Sequence, residues 1–251
     1  LYPVFPYTAF TKITNEDVAA LFAYLKSIPA IRQEAEENEI SFPYNQRWLM
    51  SVWKTMYFDE RVYEADESKS AEWNRGAYLV NALAHCSACH SPRNLLGAED
   101  FDMAMTGGVL FNKVPNGSVR LWSSPNLTSS PRGLGLWPHG EVTEYLRTGR
   151  NSYVETFGPM NEVIMNGTRH LSDSDVNAMV VYLKSLPSKE TDTESVANNK
   201  VLGMGRTLYN LHCGTCHLPT GLGDEEVAPR LAGGSLVVQT SNPASFINVI
   251  L

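Results

Sequence analysis

The chain has 251 residues, 43% hydrophobic and 19% charged, so it carries enough apolar side chain to bury ordinary globular cores and does not read as a disordered sequence. Its formal net charge is −7, with a pI near 5.4, which excludes a nucleic-acid surface built on clustered Lys and Arg. No run of 18 apolar residues occurs, so no bilayer-spanning helix is predicted.

In chain order, the first predicted element is an amphipathic helix in KITNEDVAALFAYLKSIP (12 to 29). Thr14 and Asp17 have the form of a capping box, Pro29 stops the helix, and Val18, Leu21, Phe22 and Leu25 form an i, i+3, i+4, i+7 stripe expected to face a core. A polar connector follows, RQEAEENEISFP (32 to 43). QRWLMSVWKTMYF (46 to 58) then reads as an aromatic helix that packs between domains, with a docking surface for another subunit as the alternative. GAYLVNALAHC (76 to 86) is a helix leading into the pentapeptide CSACH, and a long loop region separates it from a helix in HLSDSDVNAMVVYLKSLP (170 to 187). A second polar connector, SKETDTESVANNK (188 to 200), precedes GMGRTLYNLHC, which leads into CGTCH.

Two internal repeats organise these elements. Residues 12 to 29 align without a gap on 170 to 187, so Val18, Leu21, Phe22 and Leu25 correspond to Val176, Met179, Val180 and Leu183. Gly76 and Gly203 each stand ten residues before the first cysteine of a pentapeptide. One whole unit thus runs from an opening helix through CxxCH and loops to a closing helix. The expected organisation is the C-terminal part of a first domain (1–30), a linker with the aromatic helix (31–70), a complete domain (71–188), a linker (189–199) and the N-terminal part of a third domain (200–251).

Two thiols with an imidazole directly behind could serve zinc, a redox dithiol or covalent haem c. Zinc commonly takes four protein ligands in two separated pairs, and a thioredoxin-type CxxC needs a βαβ setting. Neither asks for the histidine. Haem attachment does, because the sulfurs become thioethers and the next side chain is the proximal iron ligand. The two motifs consume all four cysteines: Cys86 and Cys89 with His90, Cys213 and Cys216 with His217. From average residue usage, two chance CxxCH motifs in such a chain have a probability of roughly one in a million.

A sixth iron ligand is also needed, and a thioether favours Fe(II). Met103 and Met105 follow His90 too closely to travel round a ring edge, and Met179 lies on the core stripe of the closing helix. Met160 follows Gly158 and Pro159 in a loop able to approach a flat ligand, so Met160 is the expected ligand and Met165 a packing residue. His85, His212, His139 and His170 are not expected to ligate. No methionine follows Cys216, and no His or Met precedes residue 50, which leaves the sixth ligands of the outer units undefined.

FPYTAFTKITNEDVAALFAYLKSIP, FPYNQRW, RGAYLVNALAHCSACHSPRN, WSSPNLTSSPRGLGLW, LRTGR, FGPMNEVI, HLSDSDVNAMVVYLKSLP and GRTLYNLHCGTCH with APRLAGG together carry a resemblance over nearly the whole length. The chain resembles the three-haem cytochrome c subunits of bacterial periplasmic membrane-bound dehydrogenases, which accompany quinoprotein alcohol, flavin sugar-acid (gluconate) or molybdopterin aldehyde dehydrogenases. The resemblance implies a mainly α fold of tandem class I cytochrome c domains, each a few helices around a covalently bound haem. It implies covalent haem c at Cys86, Cys89, Cys213 and Cys216, axial ligands His90, Met160 and His217, and a further haem attached upstream of residue 1. It places Pro229 beside the third unit's proximal histidine, and Ser124 to Thr128 with Trp137 at the edge of the second haem pocket.

The function implied is electron transfer without a substrate site: electrons pass from a catalytic dehydrogenase subunit, with a small iron–sulfur subunit as a possible companion, to ubiquinone or a terminal oxidase. Phe5 stands where the alcohol dehydrogenase cytochromes carry a methionine, which favours a molybdopterin aldehyde dehydrogenase or hydroxylase as partner. A dihaem peroxidase is the alternative, and needs an open iron position with an acid/base residue above it. The implied location is the periplasm, attached to the cytoplasmic membrane through a segment beyond residue 251, with an export signal upstream of Leu1 or already removed. Because thioethers survive unfolding, the denatured 1–251 segment is expected to retain two haems by mass, whereas haem released by acid extraction would return the bare polypeptide mass and sink the attachment reading.

Overall fold

The computed structural model describes residues 5–34, 40–43, 45–114, 117–190, 197–224, 226–240 and 242–250, apart from the Lys113 side chain. The start of the LYPVFPY segment, Tyr44 of FPYNQRW and parts of both predicted connectors lie outside the described residues. Twelve helices are described: α1 (Tyr7–Phe10), α2 (Asn15–Ser27), α3 (Leu49–Tyr57), α4 (Ala71–Tyr78), α5 (Ser87–His90), α6 (His139–Thr148), α7 (Pro159–Asn166), α8 (Asp173–Ser185), α9 (Asn199–His212), α10 (Gly214–His217), α11 (Leu236–Gln239) and α12 (Ala244–Ile250). One antiparallel hairpin, β1 (Gly108–Lys113) with β2 (Val119–Ser124), pairs Leu110 with Trp122 and completes a mainly α chain.

The long helices start where capping chemistry places them. Ser70, Thr14, Ser172 and Asn198 each accept a hydrogen bond from the backbone N–H three residues on. The predicted capping boxes are only half formed, because their carboxylates reach across to α4, Asp175 also bonding the Ser172 hydroxyl. Asp17 accepts from the Tyr78 hydroxyl at 2.5 Å, and that hydroxyl accepts from the Thr14 N–H. Asp175 accepts from Arg75 at 2.7 Å and 3.0 Å. The equivalent aspartates of the two closing helices thus hold the same short helix at neighbouring positions of its last turn, Arg75 and Tyr78.

The central contact is α4 on α8. A Cβ at Gly76 would lie 1.9 Å from the Ala178 carbonyl oxygen, so the backbones touch where the helices cross. Trp73 Nε1–H donates to Ser185 Oγ at 2.6 Å, and Asn81 donates to the Tyr182 hydroxyl at 2.8 Å, framing the crossing on either side. Val80, Val176 and Val180 are fully buried there, and Met105, Leu134, Trp137, Val142, Leu146 and Leu183 extend the same core. Past Tyr78 the helix widens into a π-turn (Leu79–Leu83), and the chain then turns through His85, at φ +41°, into the first cysteine motif.

The repeated stripe has two fates. Val176, Met179, Val180 and Leu183 are buried as expected, but Val18, Leu21, Phe22 and Leu25 are 49–64% exposed, and no residue of α2 is buried. The expectation that the first stripe faces a core is therefore corrected: among the described residues nothing covers it. α9 likewise buries no residue, and Gly203, aligned with Gly76, meets open space. The aromatic helix α3 packs inward, with Trp53 against Tyr7 and Tyr57 and its Nε1–H donating to the Leu96 carbonyl, while Trp48, Val52 and Met56 face outward.

Gly76→Ala is expected to destabilise the 71–188 unit by about 1–3 kcal/mol, because the added methyl must force two backbones apart. The measurement is urea unfolding, in which the midpoint should fall while the slope stays unchanged.

Candidate haem-binding sites

Cys86, Cys89 and His90 lie on one tight turn formed by α5. The His90 and Cys89 N–H groups both donate to the Cys86 carbonyl, at 2.9 and 3.2 Å, and this pattern recurs at 2.9 and 3.2 Å for His217 and Cys216 on the Cys213 carbonyl. The local geometry of the two motifs is therefore the same, as expected where the pentapeptide itself dictates the turn.

Each histidine also has a backbone acceptor. His90 Nδ1–H donates to the Pro125 carbonyl at 2.8 Å, and His217 Nδ1–H donates to the Pro229 carbonyl at 2.7 Å. A carbonyl can only accept, so these bonds put the proton on Nδ1 and leave the Nε2 lone pair for a metal. Pro229 thus stands where the resemblance puts it. Pro125 is an acceptor that sequence reasoning misses, although a shared signal is present: Pro125-Asn126-Leu127 and Pro229-Arg230-Leu231 are the same Pro-x-Leu element at different distances from their motifs.

Beside the first motif lies an apolar cavity of about 1330 Å³ of empty space, its mouth included. Cys86, Cys89 and His90 line it together with Trp122, Pro125, Trp137, Tyr145, Phe157 and Met160. Gly158 brings Met160 in. Its φ is +57°, and a Cβ there would lie 2.7 Å from the Trp122 ring, so only glycine lets the loop close on that indole. Met179 also reaches the cavity, from within the core cluster on α8. Met103 and Met105 do not line it; Met105 is buried elsewhere in the core. Met165 lies outside it, 37% exposed, with its sulfur accepting from Arg169 at 3.0 Å.

Of the remaining expectations at the pocket edge, Ser124, Pro125, Leu127 and Trp137 line the cavity, whereas Asn126 and Thr128 bond one another and the Lys189 carbonyl. His85 also reaches the cavity wall and packs edge-on against Phe10 at 5.3 Å. His139 and His212 are exposed, and His170 bonds the Met165 carbonyl.

Electrostatics separate the three chemistries open to a CxxCH. Burial pushes the Cys86 thiol up to about 12 and also raises Cys89, so neither is a ready thiolate for zinc or for disulfide exchange. Among the described residues no group of three or more His, Cys, Asp or Glu side chains is placed to hold a metal ion. Burial lowers the pKa of His90 and so favours the neutral ring, against the opposing pull of its bond to the Pro125 carbonyl. Two neutral thiols and a neutral imidazole at the side of a large apolar cavity, with a thioether also on its wall, fit a haem.

The second motif has the same turn, and among the described residues it lies more open. Cys216 is exposed, Cys213 and His217 are half-buried, and the Tyr209 hydroxyl donates to the Leu218 carbonyl at 2.7 Å. The residues that follow it instead reach the first cavity: Leu236, Val237, Thr240 and Ser245 complete its wall. The predicted boundary at 188 therefore does not contain the whole pocket, a contribution that spacing around a single motif could not reveal.

Residues 74–187 match the cytochrome c family. The whole chain aligns at 38% identity with a nicotinate dehydrogenase subunit of Pseudomonas putida, covering 21% of that protein. It aligns over its whole length at 31% with the fructose dehydrogenase cytochrome subunit of Gluconobacter japonicus, covering 55% of it, and at 33% with the cytochrome c subunit of the quinone alcohol dehydrogenase of Komagataeibacter europaeus, covering 56%. The chain spans about half the length of the last two and about a fifth of the first.

Proposed function

The chain belongs to the family of cytochrome c subunits of bacterial dehydrogenases, a family whose cytochrome c domain implies covalent haem c, and on that premise we propose that it is an electron-transfer subunit with no substrate site of its own. The observation that carries this reading is the apolar cavity that Cys86, Cys89, His90 and Met160 line together. In the proposed holoprotein Cys86 and Cys89 would hold one haem, with His90 and Met160 as the side chains able to ligate its iron, and Cys213, Cys216 and His217 would hold another. Bound haem would supply a centre that gains and loses one electron. The chain's own residues do the rest: Pro125 and Pro229 fix the imidazole tautomers, Gly158 lets the Met160 loop close, and the apolar walls keep water out.

We further propose tandem organisation, with 1–30 closing a unit begun upstream and 200–251 opening one finished downstream. In its favour, the α2 stripe and the α9 glycine repeat the α8 and α4 pattern yet lie uncovered among the described residues. For the partner, we favour a molybdopterin aldehyde dehydrogenase or hydroxylase, possessing a small iron–sulfur subunit, with ubiquinone or an oxidase as acceptor. Phe5 at the position of a methionine supports this. The proposed location is the periplasmic face of the cytoplasmic membrane. Membrane attachment is proposed through a segment beyond residue 251; no described helix is long and apolar enough to cross a membrane.

Met160→Ala is expected to abolish the weak near-infrared band of iron–methionine bonding at the Cys86/Cys89 haem and to admit carbon monoxide, and Met160→His to lower its potential. Met165→Ala should leave the spectrum unchanged; loss of the band there, with Met160→Ala unaffected, would reverse the assignment. The tandem reading has a separate check in the full-length gene product, where Gly203→Ala is expected to destabilise by about 1–3 kcal/mol, as at Gly76. A gain of about 0.5–1 kcal/mol, the ordinary result for an uncrowded helical glycine, would mean that no helix crosses α9 there.

A further inference from the structure

The stretch after the second motif is tied to the 71–188 unit by directed bonds. Trp137 Nε1–H donates to the Gly234 carbonyl at 2.8 Å, and Gly234, at φ +113°, sits where a Cβ would lie 2.9 Å from the Tyr153 ring. Ser245 Oγ accepts from the Ser123 N–H and donates to the Ser123 carbonyl, both at 2.8 Å, and Asn248 donates to the Leu121 carbonyl at 2.6 Å. α12 therefore rides on β2, bonding it on either side of Trp122, which lines the cavity. Between these anchors Leu236 is 5% exposed and belongs to the same core cluster as Val80 and Met179, and Val237 packs against that cluster.

We propose that Leu236 and Val237, supplied by the unit that carries the second motif, are part of the haem pocket of the first motif and set the reduction potential there by excluding water. The proposal rests on the haem reading above. Its physical basis is charge: the oxidised iron centre carries one more positive charge than the reduced one, and a dry apolar wall disfavours that extra charge. Neighbouring electron-carrying units would then not be independent beads, because the potential of one depends on the other being folded and docked. This couples assembly to function: a pocket whose wall comes from the next unit gains its working potential only once that unit is in place.

The test uses the full-length protein matured with haem, titrated by optical spectroelectrochemistry, with the Cys86/Cys89 haem identified as the one that moves in Met160→His. Leu236→Gln places an amide in the wall and is expected to shift that haem to lower potential while the others stay. Val237→Thr, of nearly the same size, is expected to give a smaller shift of the same sign, and it carries the test if Leu236→Gln does not mature. Val238→Gln, on the exposed side of α11, should move nothing. Unchanged potentials in fully loaded Val237→Thr and Leu236→Gln, or an equal shift in Val238→Gln, would overturn the proposal. Failure of the underlying haem reading is distinguishable, since it would appear as protein lacking covalent haem before any potential is measured.

Discussion

The approach of α4 to α8 is the constraint on which the rest depends. With no side chain at Gly76, the two helix backbones meet, and the short helix then delivers its π-turn and the Cys86 motif at a fixed height beside the closing helix. Several walls of the cavity are placed relative to that crossing: the motif at the end of α4, Met179 and Leu183 on α8, and α6 against α8 contributing Val142, Tyr145 and Leu146. Interiors pack to crystal-like density, so a shift of even a methyl group at the crossing would be passed to the histidine and its carbonyl partner.

The histidine and proline pairs translate that scaffold into chemistry. An imidazole could present either nitrogen, and the carbonyls of Pro125 and Pro229 remove the choice. A backbone acceptor serves this role well, because no rotamer has to be fixed and no charge is added beside the ring. The proline itself has no N–H to satisfy at a crowded site. The same solution appears in a motif enclosed by a cavity and in one that is largely open, so it does not depend on the enclosure.

The two repeats show how one pattern can be spent in different ways. α2 and α8 share their caps, their stripe and their terminal proline, yet one stripe is a core and the other a surface. Their equivalent aspartates still meet on α4, Asp17 through Tyr78 and Asp175 through Arg75, so α2 is tied to the 71–188 segment through its N-terminal end rather than through its apolar face. The segment from 234 to 248 makes a second lock of another kind, apolar residues entering a neighbour's pocket between two sets of backbone bonds. Bonds of both kinds fix residues 12–27 and 234–248 against the 71–188 segment.

The sequence by itself determined the elements whose causes are local. The CxxCH turns, the caps at Thr14 and Ser172, the helices with their apolar periods, and the glycine and proline ahead of Met160 all follow from residues within a few positions of one another. The internal repeat even marked which glycine and which stripe belong together. Only the tertiary structure decided which stripe is buried, which carbonyl receives His90, that the capping-box carboxylates turn to α4, and that Leu236 and Val237 enter a pocket whose motif lies about 150 residues earlier. Those outcomes turn on contacts between distant segments, where amphipathic patterning states that a face is to be covered but not by what. Position 39 residues after Cys86 and position 16 after Cys213 can hold the same Pro-x-Leu acceptor because the intervening loop has no fixed length requirement, and only folding brings its far end back to the imidazole.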